Sequence, residues 1–172
     1  MKKDIFEKKI KSLKIAFFDF DGVFTDNLVS VSEEGVESVS CCRSDGIGLS
    51  RITSIGIKSF VISTEENPVV KVRCKKLKIS CFQGIENKEI AILEICKNLK
   101  VSVEECLFLG NDINDIAALK LVGLPIAVAD AYPEILDYVI YKTKAKGGKG
   151  AVREICDIIF NFNKVSSNTK IN

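Results

Sequence analysis

Short apolar runs recur along the chain, each closed by glycine, proline or charge, and they alternate with stretches of helical periodicity. Lys14 to Phe20, Lys58 to Ser63, Ser80 to Gln83, Cys106 to Leu109, Leu124 to Val128 and Tyr138 to Tyr141 read as strands. The helices between them carry punctuation. Pro68 stands near the start of one, Ser102-Val103-Glu104-Glu105 forms a capping box, Gly56 and Gly123 are stops, and Pro133 opens a short helix. From Ala151 to Phe162 the apolar positions Val152, Ile155, Ile159 and Phe162 share one helical face, which docks on the core. The polar end, Lys164 to Asn172, is expected to fray. Strand and helix in alternation predict the α/β class: a Rossmann-like parallel sheet sandwiched by helices.

One interval departs from this rhythm. Leu28 to Ser40 reads Leu-Val-Ser-Val-Ser, then Glu33-Glu34-Gly35, then Val-Glu-Ser-Val-Ser, a period of two folded at a glycine turn. That pattern predicts a β-hairpin inserted outside the main sheet. A lone hairpin is marginal in water, so it should pack against something else.

Composition narrows the class further. A chain of 172 residues with 47% hydrophobic content suffices for one core, and residues 1–172 read as one domain. Its 25 basic and 23 acidic residues are interspersed, with a net charge of +2, which argues against nucleic acid as a partner. The seven cysteines are odd in number and lack CxxC spacing, as reduced, buried thiols of a cytoplasmic protein would. No run approaches the ~20 apolar residues of a membrane span. The start, Met1-Lys2-Lys3-Asp4, lacks the apolar core of a secretory signal.

The chemistry concentrates where the first strand ends. Ile15-Ala16-Phe17-Phe18 leads into Asp19-Phe20-Asp21-Gly22, and on a strand residues i and i+2 point the same way. Asp19 and Asp21 would therefore meet at the carboxyl end, the usual ligand crevice of an open α/β sheet. Two like charges held that close call for a cation or a proton between them. With no histidine in the chain and acidic oxygens at hand, Mg²⁺ is the natural guest. A second acidic cluster, Gly110-Asn111-Asp112-Ile113-Asn114-Asp115, follows Leu107-Phe108-Leu109. Asp112 is either an N-cap, with Asp115 in the first turn, or the further carboxylate a cation site needs. Ser63 closes Phe60-Val61-Ile62 as a helix cap or a donor to a phosphoryl oxygen. Lys88 opens a helix, where its charge opposes the helix dipole; it either meets a negative partner or is a solvated surface lysine.

Taken in order, strand-Asp-x-Asp, strand-Ser, helix-Lys and strand-Gly-Asn-Asp-x-x-Asp resemble the haloacid dehalogenase superfamily of phosphohydrolases. Asp19-Phe-Asp-Gly-Val-Phe-Thr-Asp26, Arg43-Ser-Asp-Gly-Ile-Gly48, Gln83-Gly84, Val128-Ala-Asp-Ala-Tyr-Pro133 and Gly147-Gly-Lys-Gly-Ala-Val-Arg-Glu154 narrow the likeness. They are similar to 3-deoxy-D-manno-octulosonate 8-phosphate phosphatases and to relatives acting on nonulosonate 9-phosphates. The resemblance implies Asp19 as nucleophile and Asp21 as general acid and base. It implies Mg²⁺ on the Asp19 carboxylate, the Asp21 carbonyl and Asp112, supported by Asp115. Ser63 and Lys88 would hold phosphoryl oxygens. One departure concerns the substrate: Ser63-Thr64-Glu65 stands where the subfamily commonly has Thr-Gly-Arg.

Only 41 residues separate Asp21 from Ser63 and 24 separate Ser63 from Lys88, which leaves no room for a large cap domain. The resemblance supplies a substitute: a homotetramer in which hairpins of neighbouring subunits wall the site. It also offers Lys149 or Arg153, on a mobile glycine-rich lid at Lys146-Gly147-Gly148-Lys149-Gly150, as contacts for an anionic substrate; a flexible linker is the plainer reading. Arg43 is a contact for the sugar carboxylate or part of a surface ion pair. The expected function is Mg²⁺-dependent hydrolysis of a phosphorylated 2-keto-3-deoxy sugar acid. Two rivals are a noncatalytic tetramerisation module partnering a sugar cytidylyltransferase and a receiver-like signalling domain, whose phosphorylated Asp would follow a middle strand instead.

Overall fold

The computed structural model describes the backbone of residues 2–168 and the side chains of residues 5–164. The chain runs α1 (Lys2–Lys11), β1 (Ile15–Phe18), β2 (Ser30–Val31), β3 (Glu37–Ser38), α2 (Ser44–Ser54), β4 (Lys58–Ile62), α3 (Val69–Leu77) and β5 (Ser80–Phe82). It continues through α4 (Lys88–Leu99), β6 (Cys106–Gly110), α5 (Ile116–Leu121), β7 (Leu124–Ala127), β8 (Tyr141–Lys142) and α6 (Ala151–Asn168). Six strands form one parallel sheet in the order β5-β4-β1-β6-β7-β8, with β1 at the centre, paired to β4 on one side and β6 on the other. The strand order reverses at β1, so the crevice lies beyond its carboxyl end.

The alternation of side chains along β1 divides the core. Ala16 and Phe18 face one cluster, with Ile10 of α1, Leu49 and Ile52 of α2, Val70 of α3 and Ile155 and Ile159 of α6. Ile15 and Phe17 face the other, with Ile92 and Ile95 of α4 and Ala118 and Leu119 of α5. Each such large side chain contributes roughly 1.5–3 kcal/mol through burial, so the central strand is pinned from both faces. The final helix docks as its periodicity predicts, with Val152, Ile155 and Ile159 fully buried. Among the described residues, no helix is long and apolar enough to cross a membrane.

Several local expectations change. Helix α1 precedes the point from which the alternation was legible. The first strand stops at Phe18, because the carbonyl of Phe20 accepts the N–H groups of Val23, Phe24 and Thr25 and turns the chain. The last strand moves from Tyr138–Tyr141 to Tyr141–Lys142, since the helix opened by Pro133 is a 3₁₀ turn that runs through Tyr138. The capping box at Ser102 and Glu105 forms, yet it closes only the three-residue 3₁₀ turn Val103–Glu105, because β6 begins at the next residue. Helix α6 continues to Asn168 instead of fraying from Lys164, and residues 169–172 lie outside the described residues. Cys74, Cys96, Cys106 and Cys156 are buried, whereas Cys41, Cys42 and Cys81 are half-buried.

The hairpin forms as β2 and β3, paired through Ser30 with Ser38 and Val31 with Glu37, and Gly35 takes a φ of +78° at its turn. Leu28, Val29, Val31 and Val36 are all exposed. A side-chain tie from the hairpin to the body is the Asn67 amide donating to Glu37 at 3.0 Å.

Candidate active site

Three loops at the carboxyl ends of β1, β4 and β6 enclose a cleft of about 170 Å³. Asp19, Asp21 and Asn27 line it from the β1 loop, Thr64 from the β4 loop, and Asn111, Asp112, Ile113 and Asn114 from the β6 loop. Both aspartates reach it, although neither lies on the strand. The tight turn that starts at Phe20 brings them together in place of the two-residue strand period.

Lys88 decides the electrostatics. Asn87 caps α4 by accepting the N–H of Ile90, which leaves Lys88 in the first turn, and the ammonium group is directed inward at 2% exposure. It lies 2.8 Å from Asp19 Oδ1 and 2.7 Å from Asp115 Oδ1. The surface reading of this lysine is thereby excluded. Burial works to lower its pKa, but the two carboxylates outweigh that and hold it above its usual value. Asp19 is pushed up to about 7, chiefly by burial and then by the Asp115 charge, against the opposing pull of Lys88. Its Oδ1 accepts the N–H of Phe20 and meets Lys88, leaving Oδ2 without a protein partner among the described residues.

Asp21 is half-buried and its carboxyl is also raised, first by burial and then by the nearby Glu65, with the Thr25 hydroxyl opposing. Asp115 is fully buried, and its Oδ2 accepts the N–H groups of Asn111 and Asp112 at 2.8 and 3.3 Å, which folds the β6 loop around it. Asp112 performs the capping role, its Oδ1 accepting the N–H of Ile113 at 2.7 Å, and it lines the cleft as well.

Asn111 is the residue that sequence reasoning passed over. It is 5% exposed, it lines the cleft, and its Oδ1 is buried with no hydrogen-bond partner among the described residues. A buried carbonyl oxygen left unpaired costs about 1–3 kcal/mol unless something fills its lone pairs. Among the described residues, no three acidic or cysteine side chains converge tightly enough to hold an ion by themselves. A hard cation here would draw on neutral oxygens too, and the orphaned Asn111 oxygen, in a cleft that Asp19 also lines, fits that need. Its signal in the sequence was position alone, directly after Gly110 at the end of an apolar strand.

The remaining candidates are less central in a single chain. Ser63 is 1% exposed and its Oγ accepts the N–H of Glu65 at 3.1 Å, and the next residue, Thr64, lines the cleft. Arg43 is exposed at the start of α2. Arg153 is tied to Asp157 at 2.6 Å, and Lys149 pairs with Asp26 at 3.2 Å. Within the segment 146–150, Gly147 and Gly148 are packed backbone to backbone against the β1 loop. A second hollow of about 280 Å³ shares Asp21 and Asn27 with the cleft and extends under the hairpin along Val29, Glu37, Val39, Glu65 and Val69.

Comparison with known proteins agrees with this arrangement. The sequence profile of haloacid dehalogenase-like hydrolases matches residues 76–155. The 3-deoxy-D-manno-octulosonate 8-phosphate phosphatase of Escherichia coli K12 is 33% identical over 152 residues, which cover 88% of this chain and 81% of that protein. The crystal structure of the Moraxella catarrhalis enzyme of the same name, in complex with magnesium ion, phosphate ion and KDO, superposes with a TM-score of 0.89 at 29% identity. The alignment covers 97% of this chain and 98% of that one. The cobalt-bound Haemophilus influenzae phosphatase gives 0.86 at 31% identity over 92% and 94% of the two chains.

Proposed function

The chain belongs to the haloacid dehalogenase-like hydrolases and is a phosphatase of that family, and from this premise we propose that it hydrolyses the phosphate ester of a 2-keto-3-deoxy sugar acid through an aspartyl phosphate on Asp19. The observation that carries this reading is the buried Asp19 carboxylate, held by Lys88 on one oxygen and free on the other, in a cleft that Asp21 also lines.

Asp19 Oδ2 attacks phosphorus, and the phosphorus–oxygen bond to the sugar breaks. Asp21, whose raised pKa favours the protonated form, delivers its proton to the departing alkoxide. In the second half the Asp21 carboxylate takes a proton from water, the water oxygen attacks phosphorus, and inorganic phosphate leaves as the Asp19 ester bond breaks. Lys88 offsets charge on the phosphoryl oxygens as it accumulates. Ser63 retains an O–H proton for the same group, since its Oγ serves as acceptor toward Glu65. Asp19, the main-chain carbonyl of Asp21, Asn111 Oδ1 and Asp112 would hold Mg²⁺, with Asp115 fixing the loop behind them. When bound, the ion lowers the Asp19 pKa and neutralises phosphoryl charge.

The hollow beneath the hairpin receives the sugar and is open on its outer side, which supports a homotetramer whose neighbouring subunits complete the wall. Arg43, Lys149 and Arg153 are proposed contacts for the sugar carboxylate within that assembly. A phosphate-release screen over eight- and nine-carbon sugar-acid phosphates, with Mg²⁺ and with a chelator, tests the reading. Release from at least one sugar-acid phosphate that stops on chelation is expected; release only from aryl phosphates, or release indifferent to chelator, overturns it.

A further inference from the structure

The segment 146–150 is locked onto the turn that carries Asp21. A Cβ added at Gly147 would lie 1.9 Å from the carbonyl oxygen of Gly22, and one at Gly148 would lie 2.5 Å from the N of Asp26. Gly148 has a φ of +64°, and its N–H donates to the carbonyl of Val23 at 3.0 Å. These two glycines are therefore required by close approach and by backbone conformation together. Two carboxylates anchor the segment near its start. Asp130 Oδ1 accepts the N–H of Gly147 at 2.9 Å, and Glu154 accepts the N–H of Ala145 at 2.7 Å.

From the turn the path continues to the acid. Thr25, fully buried, accepts the N–H groups of Gly22 and Asn27 at 3.1 and 3.2 Å, and its hydroxyl faces Asp21 Oδ1 at 3.5 Å. Moving the turn by a fraction of an ångström moves Thr25 and alters where the Asp21 carboxyl points.

We propose that residues 146–150 are a strap that holds the Asp21 carboxyl in register with the leaving oxygen, with Gly147 and Asp130 as positioning residues. The proposal rests on the reading of Asp21 as proton donor. It accounts for Asp130, which the chemistry above does not use, and for the glycine pair, which a mobile lid would not require. Because a misplaced acid matters most when the leaving group is poor, the strap acts on kcat for sugar phosphates and little on aryl phosphates.

The test compares kcat and KM on the best sugar-acid phosphate of the release screen and on 4-nitrophenyl phosphate, with folding followed by thermal denaturation. Asp130→Ala, which removes the anchor without a clash, should lower kcat on the sugar-acid phosphate about tenfold, with little change in KM and a loss under about threefold on the aryl ester. Asp130→Asn retains the acceptor and should restore the rate. Gly147→Ala, where it folds, should show the same split at about 10²-fold. Equal losses on both substrates, no loss in Asp130→Ala, or failure of Asp130→Asn to restore activity overturns the strap. Asp21→Asn run alongside separates the two claims. A leaving-group-dependent loss there, without one in the strap variants, refutes the strap alone; an equal loss on both substrates refutes the role of Asp21 and the strap with it.

Discussion

The two ends of the substrate region are built by opposite means. At the inner end, Lys88, Asp19 and Asp115 are all less than 5% exposed and are held by contacts of 2.7–2.8 Å between β1, α4 and the β6 loop. At the outer end, the hairpin has two register pairs, and Leu28, Val29, Val31 and Val36 are exposed. Buried charge must be satisfied within the chain or the fold fails, and Lys88 meets that need in one molecule by pairing with Asp19 and Asp115. An exposed apolar hairpin carries no such obligation, and the homotetramer proposed above would bury it.

The sharpest way to break the comparison is to remove the chemistry and keep the architecture. Asp19→Asn preserves shape and the Asp115 partner of Lys88, so phosphate release should fall to background while the thermal transition stays cooperative; wild-type turnover in this variant sinks the covalent role. Removing the cation instead should damage both. Lys88→Met leaves two carboxylates facing each other in a buried site, and a stability loss of roughly 3–5 kcal/mol in urea denaturation is expected, together with loss of activity. A loss below about 1 kcal/mol would show that the inner end is not over-determined.

At the outer end the expectation reverses. Val31→Lys and Val36→Lys alter exposed positions outside the hollow beneath the hairpin, so the stability of the single chain should change by no more than about 0.5 kcal/mol. Sedimentation should nonetheless shift from a tetramer to smaller species, with KM rising on the sugar-acid phosphate more than on a small aryl phosphate. A variant that sediments as a monomer with full activity on both substrates rules out a shared wall.

An effect on the pH dependence alone lies behind the site, at Asp45 of α2. It is fully buried, one oxygen accepts the N–H of Arg153 at 3.0 Å, and the other has no partner among the described residues. Burial pushes its pKa up to about 6, with that N–H, Arg73 and Arg153 opposing. The folded state consequently holds more protons than the unfolded state between the ordinary value near 3.8 and about 6. Stability contributed by this group is full at the acid side of that window and declines as pH rises through it. Asp45→Asn should flatten that part of the melting temperature profile between about pH 4 and pH 6; an unchanged slope would mean another group is responsible.

The local grammar of the chain was enough for the sheet, the hairpin and the acids at the ends of β1 and β6. Those features follow from nearest-neighbour preferences: apolar runs closed by glycine, a two-residue period folded at Gly35, carboxylates placed where strands end. Asn111 escaped notice because an amide after Gly110 looks like any turn residue until its oxygen is found buried and unpaired. Ser63 stands at its strand end as expected, but that its hydroxyl oxygen also accepts the Glu65 N–H could be seen only in the folded loop. The glycines at 147 and 148 read as flexibility, since sequence alone gives no account of the backbone pressed against them.

By itself, then, the sequence determined which residue types stand at the carboxyl ends of the strands, and with them the class of chemistry. The tertiary structure decided which of these meet: Lys88 between Asp19 and Asp115, Asn111 in the cleft, Gly147 against Gly22. The division has a physical cause. Periodicity and turn preference act over a few residues along the backbone, whereas burial, ion pairing and close approach depend on segments far apart in the chain being packed to contact.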